Sequence, residues 1–234
     1  MKMTGDDIRK AFFDEIGFIK AGERIPDHLV VSGDLDLTDM CIRLLPNNLT
    51  VEGSLWLGNT PIEFLPSDLK VGGSIDLSDS DIKRLPDNFV VEGDLWLNNT
   101  KIKELPANLT VKGNLWLTNT LVKELPNNLK VWKRLWIIGT PIIKLPNNLT
   151  VNGNLDLSNK PIEVLPDNLT VHGNLDLRGS KIEKIPVNLC VDGNIYLSKR
   201  LTKKAIENMF KNSLVNGEIH LSSVDKVKSD ILNN

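Results

Sequence analysis

Four of the five tryptophans in this 234-residue chain, Trp56, Trp96, Trp116 and Trp136, are separated by multiples of twenty residues. Tryptophan carries a large apolar ring with one N–H donor, so four of them in register offer two kinds of chemistry. One is burial against the apolar side of a partner protein. The other is stacking on a base or a sugar. The remaining positions at this spacing are Asp36, Asp76, Asp156, Asp176 and Tyr196, with His220 four residues out of step. The column thus exchanges carboxylates for aromatic rings. Trp132, Arg134 and Ile138 surround Trp136, and Arg178 follows Asp176.

Other chemistries find no support in the residue pattern. His28, His172 and His220 are too scattered to converge with a serine or cysteine into a nucleophilic triad. Columns of aspartate at repeat spacing read as a hydrated sheet face, and no metal site is expected. No glycine-rich phosphate loop occurs. The N-x-T sequons, such as Asn48-Leu49-Thr50, are by-products of the repeat. The expectation is a binding protein, not an enzyme, with no cofactor.

The tryptophans inherit their spacing from the chain itself. Nine twenty-residue units run from Ile25 to Lys204 without an insertion, with the consensus L-P-x-N-L-x-V-x-G-x-L-x-L-x-x-T-x-I-x-x. Nine of the twelve prolines share one position of the unit, and eight units share a glycine, from Gly33 to Gly193, with Lys133 the exception. The alternating leucines, such as Leu155 and Leu157, predict a short strand with one face in the core. Ile162, Leu165, Leu169 and Val171 turn inward in the same unit. Proline suits the bend leaving the strand, the asparagine column (Asn48, Asn88, Asn108) serves local backbone groups there, and glycine permits a tight or left-handed corner. No single unit can bury its apolar face alone, so the units must stack on one another.

The motif L-x-L-x-x-T-x-I-x-x-L-P, with Thr60, Thr100, Thr120 and Thr140 at the polar position, resembles the leucine-rich-repeat signature. Its twenty-residue length and L-P resemble the shortest bacterial class, seen in secreted bacterial effectors and phage-encoded relatives. The resemblance covers residues 25–204 and implies an α/β repeat solenoid. That fold is an arc with a parallel β-sheet on the concave face and a short extended convex side. Some such effectors carry a large C-terminal ubiquitin-ligase domain, for which this chain has no room.

Residues 1–24 are expected to form an N-terminal helical cap, its helix spanning 4–20 with Thr4 as N-cap and Ile8, Phe12, Ile16 and Ile19 on one face. Residues 205–234 should form a C-terminal cap and a loose tail. A helix beginning at Thr202 leads there into a tenth strand at Gly217-Glu218-Ile219-His220-Leu221.

Net charge is only −2, with 28 basic and 30 acidic residues, but it is polarised. Residues 25–104 hold 6 basic and 14 acidic side chains, and residues 105–204 hold 14 and 7. On the concave face Asp34, Asp36, Asp39, Asp76, Asp79 and Asp94 come early, and Arg134, Lys160, Arg178, Lys199 and Arg200 come late. Such a gradient orients a complementary partner. No apolar run is long enough to span a membrane and no signal peptide is read, so the expected compartment is the cytoplasm, or a host cytoplasm for a phage or effector protein. Cys41 and Cys190 lie too many units apart to pair.

These readings define a protein–protein interaction module, an inhibitor, effector or adaptor, gripping one protein partner across the concave sheet. Self-association through the tryptophan ladder is a further possibility. Capture of a nucleotide or short nucleic acid is the alternative, by tryptophan stacking and phosphate contacts from Arg134, Arg178 and Arg200. A glycan laid across the ring edges is a third. Rings every ~4.8 Å leave no gap for a base, so only Trp56, set apart by Asp76, and the outer side of Trp136 are expected to be free for stacking.

Overall fold

The computed structural model describes residues 2–12, 25–182, 184–186, 188–198, 206, 210, 211 and 213–222, and all structural statements concern these. Each twenty-residue turn contributes two short strands on either side of a corner. Turn five is typical, with Thr110–Val111 before the corner and Leu115–Trp116 after it. The strands after the corner form a ten-stranded parallel sheet in sequence order, from Leu35–Asp36 to Ile219–Ser222. Those before it form a seven-stranded sheet from Val90–Val91 to Leu214–Val215. A four-stranded one joins Lys2–Thr4, Val30–Ser32, Thr50–Val51 and Lys70–Val71. Isolated parallel bridges, Phe64 to Arg84 and Val164 to Lys184, mark a third side.

The result is a parallel β-solenoid of about nine turns, which narrows the expected α/β arc. Its turns are strands and bends, and the only helix of more than one described residue is Gly5–Phe12. The predicted tenth strand is present, its register shifted to twenty-four residues so that Tyr196 pairs with His220. The strand before the corner was not expected. Its signal is the short alternation L-x-V, whose two apolar members both turn inward. The inward residues are as read: Leu155, Leu157, Ile162, Leu165, Leu169 and Val171 are all at most 1 % exposed. Each such side chain contributes about 1.5–3 kcal/mol on burial.

At the N-terminus Thr4 caps the helix as expected, and the cap is reciprocal. The Asp7 N–H donates to Thr4 Oγ1 (3.2 Å), and the Thr4 N–H donates to Asp7 Oδ2 (3.1 Å). Ile8 and Phe12 pack into the core. Lys2–Thr4 adds a strand against Val30–Ser32 and so covers the edge of the first turn. Ile16, Ile19 and the rest of the predicted helix lie outside the described residues, as do Thr202 and the tail after 222. Of the second predicted helix, Ile206 and Phe210 are described, and both pack against the core.

The corner glycines do a different job from the one expected. Gly33 alone among them has a positive φ, 78°. At the others a Cβ would collide with the preceding turn: at Gly113 it would lie 2.6 Å from the Gly93 carbonyl carbon and 2.7 Å from the Asp94 nitrogen. Glycine is required for close stacking. The left-handed bends belong instead to the asparagine and aspartate columns, at Asn48, Asn88, Asn108, Asn148 and Asn168 and at Asp39, Asn59, Asp79, Asn99, Asn119 and Asn159. These residues tolerate that conformation and also stitch the turns together. Asn108 Nδ2 donates to Asn88 Oδ1 (2.8 Å), and Asn119 Nδ2 to Asn99 Oδ1 (3.0 Å).

Candidate functional site: one sheet face in two halves

In the ten-stranded sheet, the residue between the two inward leucines of each turn points away from the core. The register brings Asp36, Trp56, Asp76, Trp96, Trp116 and Trp136 onto adjacent strands in that order. All four tryptophans are half-buried. The Trp96 and Trp116 rings are stacked, with centroids 4.8 Å apart and planes within 9°. Trp56 is not isolated by Asp76, as the sequence suggested. Its ring reaches across the shorter side chain to lie 5.7 Å from Trp96, tilted by 38°. Trp136 is next in register, but no ring contact joins it to Trp116, and its indole N–H is buried without an acceptor. Three indoles thus form one continuous apolar surface, and the fourth adjoins it.

A ladder of side-chain acceptors along the corner holds these strands at their spacing. Asp34 Oδ1 accepts from the Ser54 N–H (2.7 Å), Ser54 Oγ from Ser74 (3.1 Å), and Ser74 Oγ from Asp94 (2.9 Å). Asp94 Oδ1 accepts from Asn114 (2.6 Å) and Asn114 Oδ1 from Arg134 (3.0 Å). Arg134 offers no acceptor, and the ladder resumes only at Asn154, which accepts from the Asn174 N–H (2.8 Å). Arg134 is half-buried and Ile138 exposed, and they lie two residues before and after Trp136, just outside the Leu135–Trp136 strand. Trp132 does not join them. It follows the Lys130–Val131 strand, on the other side of the corner, with the Lys112 ammonium 5.7 Å above its ring.

The other half of the face is ionic and largely closed. Asp176 and Arg178 are each 2 % exposed. The guanidinium Nε donates to both carboxylate oxygens (2.8 and 3.0 Å), and an Nη donates to Oδ2 as well. Arg178 also lies 5.6 Å from the Tyr196 ring, which stacks on His220 at 5.2 Å. Asp156 accepts from the Ser158 N–H (2.8 Å), and burial raises its pKa above the ordinary aspartate value. Asp76 makes the same local bond to Ser78 in the aromatic half.

Sequence reasoning missed the burial of Lys160. It stands where Thr60, Thr100, Thr120 and Thr140 stand in other turns, and it is 6 % exposed. Its Nζ donates to the Thr140 carbonyl (2.6 Å) and to Thr140 Oγ1 (2.7 Å). Burial pushes its pKa down to about 8, opposed by the nearby charge of Asp156. The signal was available, since a lysine in a buried threonine column has to end at an acceptor.

These facts correct the expected charge gradient across the face. Of its basic residues Lys160 is buried and Arg178 is bonded to Asp176, Arg134 is half-buried beside Trp136, and Lys199 and Arg200 lie outside the described residues. The acidic end is as read. Asp34, Asp36, Asp39 and Asp79 are exposed, and Asp76 and Asp94 half-buried. Asp36 pairs with Arg9 at 3.4 Å. Among the described residues no group of three or more His, Cys, Asp or Glu is placed to hold a metal ion, and no helix is long and apolar enough to cross a membrane. Both cysteines are free thiols.

Compared with protein-family models, curated proteins and solved structures, the chain finds no match in any of the three. Its class is therefore stated from its geometry alone. It is a parallel β-solenoid of twenty-residue repeats that presents a sheet face, aromatic and acidic in one half and internally ion-paired in the other.

Proposed function

We propose that this chain is a non-enzymatic binding protein of the leucine-rich-repeat kind that grips a protein partner through the aromatic half of the sheet face. The observation that carries the reading is the continuous surface of Trp56, Trp96 and Trp116. The fold does not require it, because Asp36, Asp76, Asp156 and Asp176 fill the same slot in equivalent turns. An indole offers roughly 150–250 Å² of buriable surface, so even half-buried rings in this number approach the ~300–600 Å² of a typical largest apolar patch. Tryptophan is also enriched among interface hot spots.

The acidic rim adds a preference for a partner that is basic at the matching edge. Charge there is not needed for the corner ladder, since Asn114, Asn154 and Asn174 play the part that Asp34 and Asp94 play earlier. Nucleotide capture loses two of its supports, because Arg178 is paired and Trp56 is packed against Trp96. An inhibitor, adaptor or effector working in a cytoplasm fits this reading, as does a host-protein target if the resemblance to phage and effector repeats holds.

The test is a binding comparison from lysate between the wild-type chain and a Trp96→Ala/Trp116→Ala/Trp136→Ala variant, with thermal melting as the folding control. The expected outcome is loss of one saturable protein partner with little change in melting. Retention of the same partner by the folded variant would overturn the reading. Binding that weakens steeply with salt and is competed by nucleotide would favour the stacking alternative.

A further inference from the structure

The irregular sixth turn leaves a groove that the tryptophan face does not use, on the side of the strands before the corner. Where neighbouring parallel strands pair elsewhere they do so through at least two residues, and only Lys70–Val71 and Val90–Val91, at the break between the two sheets before the corner, do not pair at all. Between turns six and seven each sheet keeps one pair, Val131 with Val151 and Leu135 with Leu155. The asparagine ladder breaks at the same seam. Asn128 Nδ2 donates to Asn108 Oδ1 (3.0 Å) and Asn168 Nδ2 to Asn148 Oδ1 (2.8 Å), but no bond links Asn148 with Asn128. Asn128 also lacks the left-handed backbone of Asn108 and Asn148. Turn six is the one that carries Lys133 in the column where other turns need glycine. The groove that opens has a volume of about 520 Å³.

Its lining has a specific chemistry. Trp132 forms one wall and is 52 % exposed. In that column the other turns carry Ser32, Glu52, Gly72, Glu92, Lys112, Asn152, His172 and Asp192, so no other indole or phenyl ring stands there. Asn108, Asn127, Asn128, Asn148 and Asn152, the hydroxyls of Thr110 and Thr150, and the single cation Lys130 supply the rest of the polar surface, and no carboxylate lines it. A carboxamide offers a donor pair and an acceptor in one plane, which suits adjacent hydroxyls. An indole face is electron-rich and suits the polarised C–H side of a sugar ring. The broken ladder leaves an amide acceptor on Asn128 and an amide donor on Asn148 without each other, ready for a ligand that brings both functions at once.

We infer that this groove binds a pyranose unit of a neutral oligosaccharide, with Trp132 as the stacking platform and the asparagines of turns five to seven reading its hydroxyls. The site is separate from the tryptophan face, and its success or failure leaves that reading untouched. Lys130 is a single cation in the lining, with no second one beside it to clamp an anion, because the neighbouring Lys112 ammonium is already held by Glu92 Oε2 at 2.7 Å. A purine would use the indole but would leave most of the amides unmatched.

The experiment titrates the full chain with cellobiose, maltose, chitobiose, lactose and AMP while following the tryptophan indole N–H resonances by NMR. The Trp132 signal is assigned with Trp132→Phe. One disaccharide is expected to shift that signal saturably, with a Kd on the order of a millimolar. Trp132→Ala should weaken binding roughly tenfold or more, Asn152→Ala should weaken it less, and Trp132→Phe should keep part of it. Both alanine positions are exposed, so the melting temperature should hold. The inference is overturned if no sugar shifts the Trp132 signal, if the shifts fall on the ladder tryptophans instead, if Trp132→Ala binds equally well, or if AMP alone binds.

Discussion

Turns two to six and turns seven to nine present the same column of the same sheet, yet they solve its exposure in opposite ways. In the first stretch the outward residue is mostly tryptophan, and the rings cover one another while leaving an apolar outer surface. In the second it is aspartate in turns seven and eight and Tyr196 in turn nine, with Asp176 answered within the protein by Arg178, against which Tyr196 packs with His220 stacked beyond it. A charge that finds its partner internally has little left for a ligand. A ladder of half-covered rings has apolar area to give. The difference teaches that exposure in this fold depends less on the direction of a side chain than on the height of its neighbours in the next turns.

The largest effect should come from breaking the ionic half. Asp176→Ala removes the carboxylate that the buried Arg178 guanidinium grips through its Nε and Nη, and should cost about 3–5 kcal/mol in chemical denaturation. A loss below ~1 kcal/mol would mean that Arg178 escapes to solvent and that the two halves are alike.

Lys160→Thr restores the column residue and should stabilise the protein at neutral pH by up to about 3 kcal/mol. The sign follows from the lowered pKa. Below about 8 the folded state holds a charged amine that burial disfavours. Between about 8 and the ordinary lysine value of 10.5 the unfolded chain binds the extra proton, so wild-type stability rises with pH through that window. The gap between wild type and variant should therefore close as pH rises, as measured by denaturation at several pH values.

Trp96→Asp transplants the residue of one half into the other and removes the central stack. Aromatic pairs are worth about 0.5–1.5 kcal/mol beyond burial, so the expected cost is of that order, with partner binding lost. A cost as large as that of Asp176→Ala would make the ladder a stability device rather than a gripping surface. The smallest effect is expected of Trp136→Phe. It removes a buried donor that has no acceptor, so stability should stay within about 1 kcal/mol or rise.

The scaffold was legible because its signals repeat. The leucine, isoleucine and valine positions are buried where periodicity put them, and the tryptophan column falls on one face as read. What was not legible depends on contacts between turns. The glycines are needed for the approach of neighbouring backbones, which no single unit records. Trp56 meets Trp96 because the side chain between them is short. Asp176 and Arg178 alternate like surface residues, and their burial rests on contacts with the following turn such as the Tyr196 ring over the guanidinium. Trp132 lies close to Trp136 in sequence, but a corner separates them, and spacing alone assigned them to one surface.

A stack in which each turn touches only its neighbours owes its cooperativity to the seams between them. The sheet before the corner is interrupted between turns three and four, but only between turns six and seven do both sheets thin to single residue pairs, a weak link that divides the stack into two blocks. Amide exchange is expected to report it, with protection falling locally around Val131 and Val151 before either block opens. The sixth turn would then act as a joint, and a ligand bridging it would couple the two blocks into one folding unit.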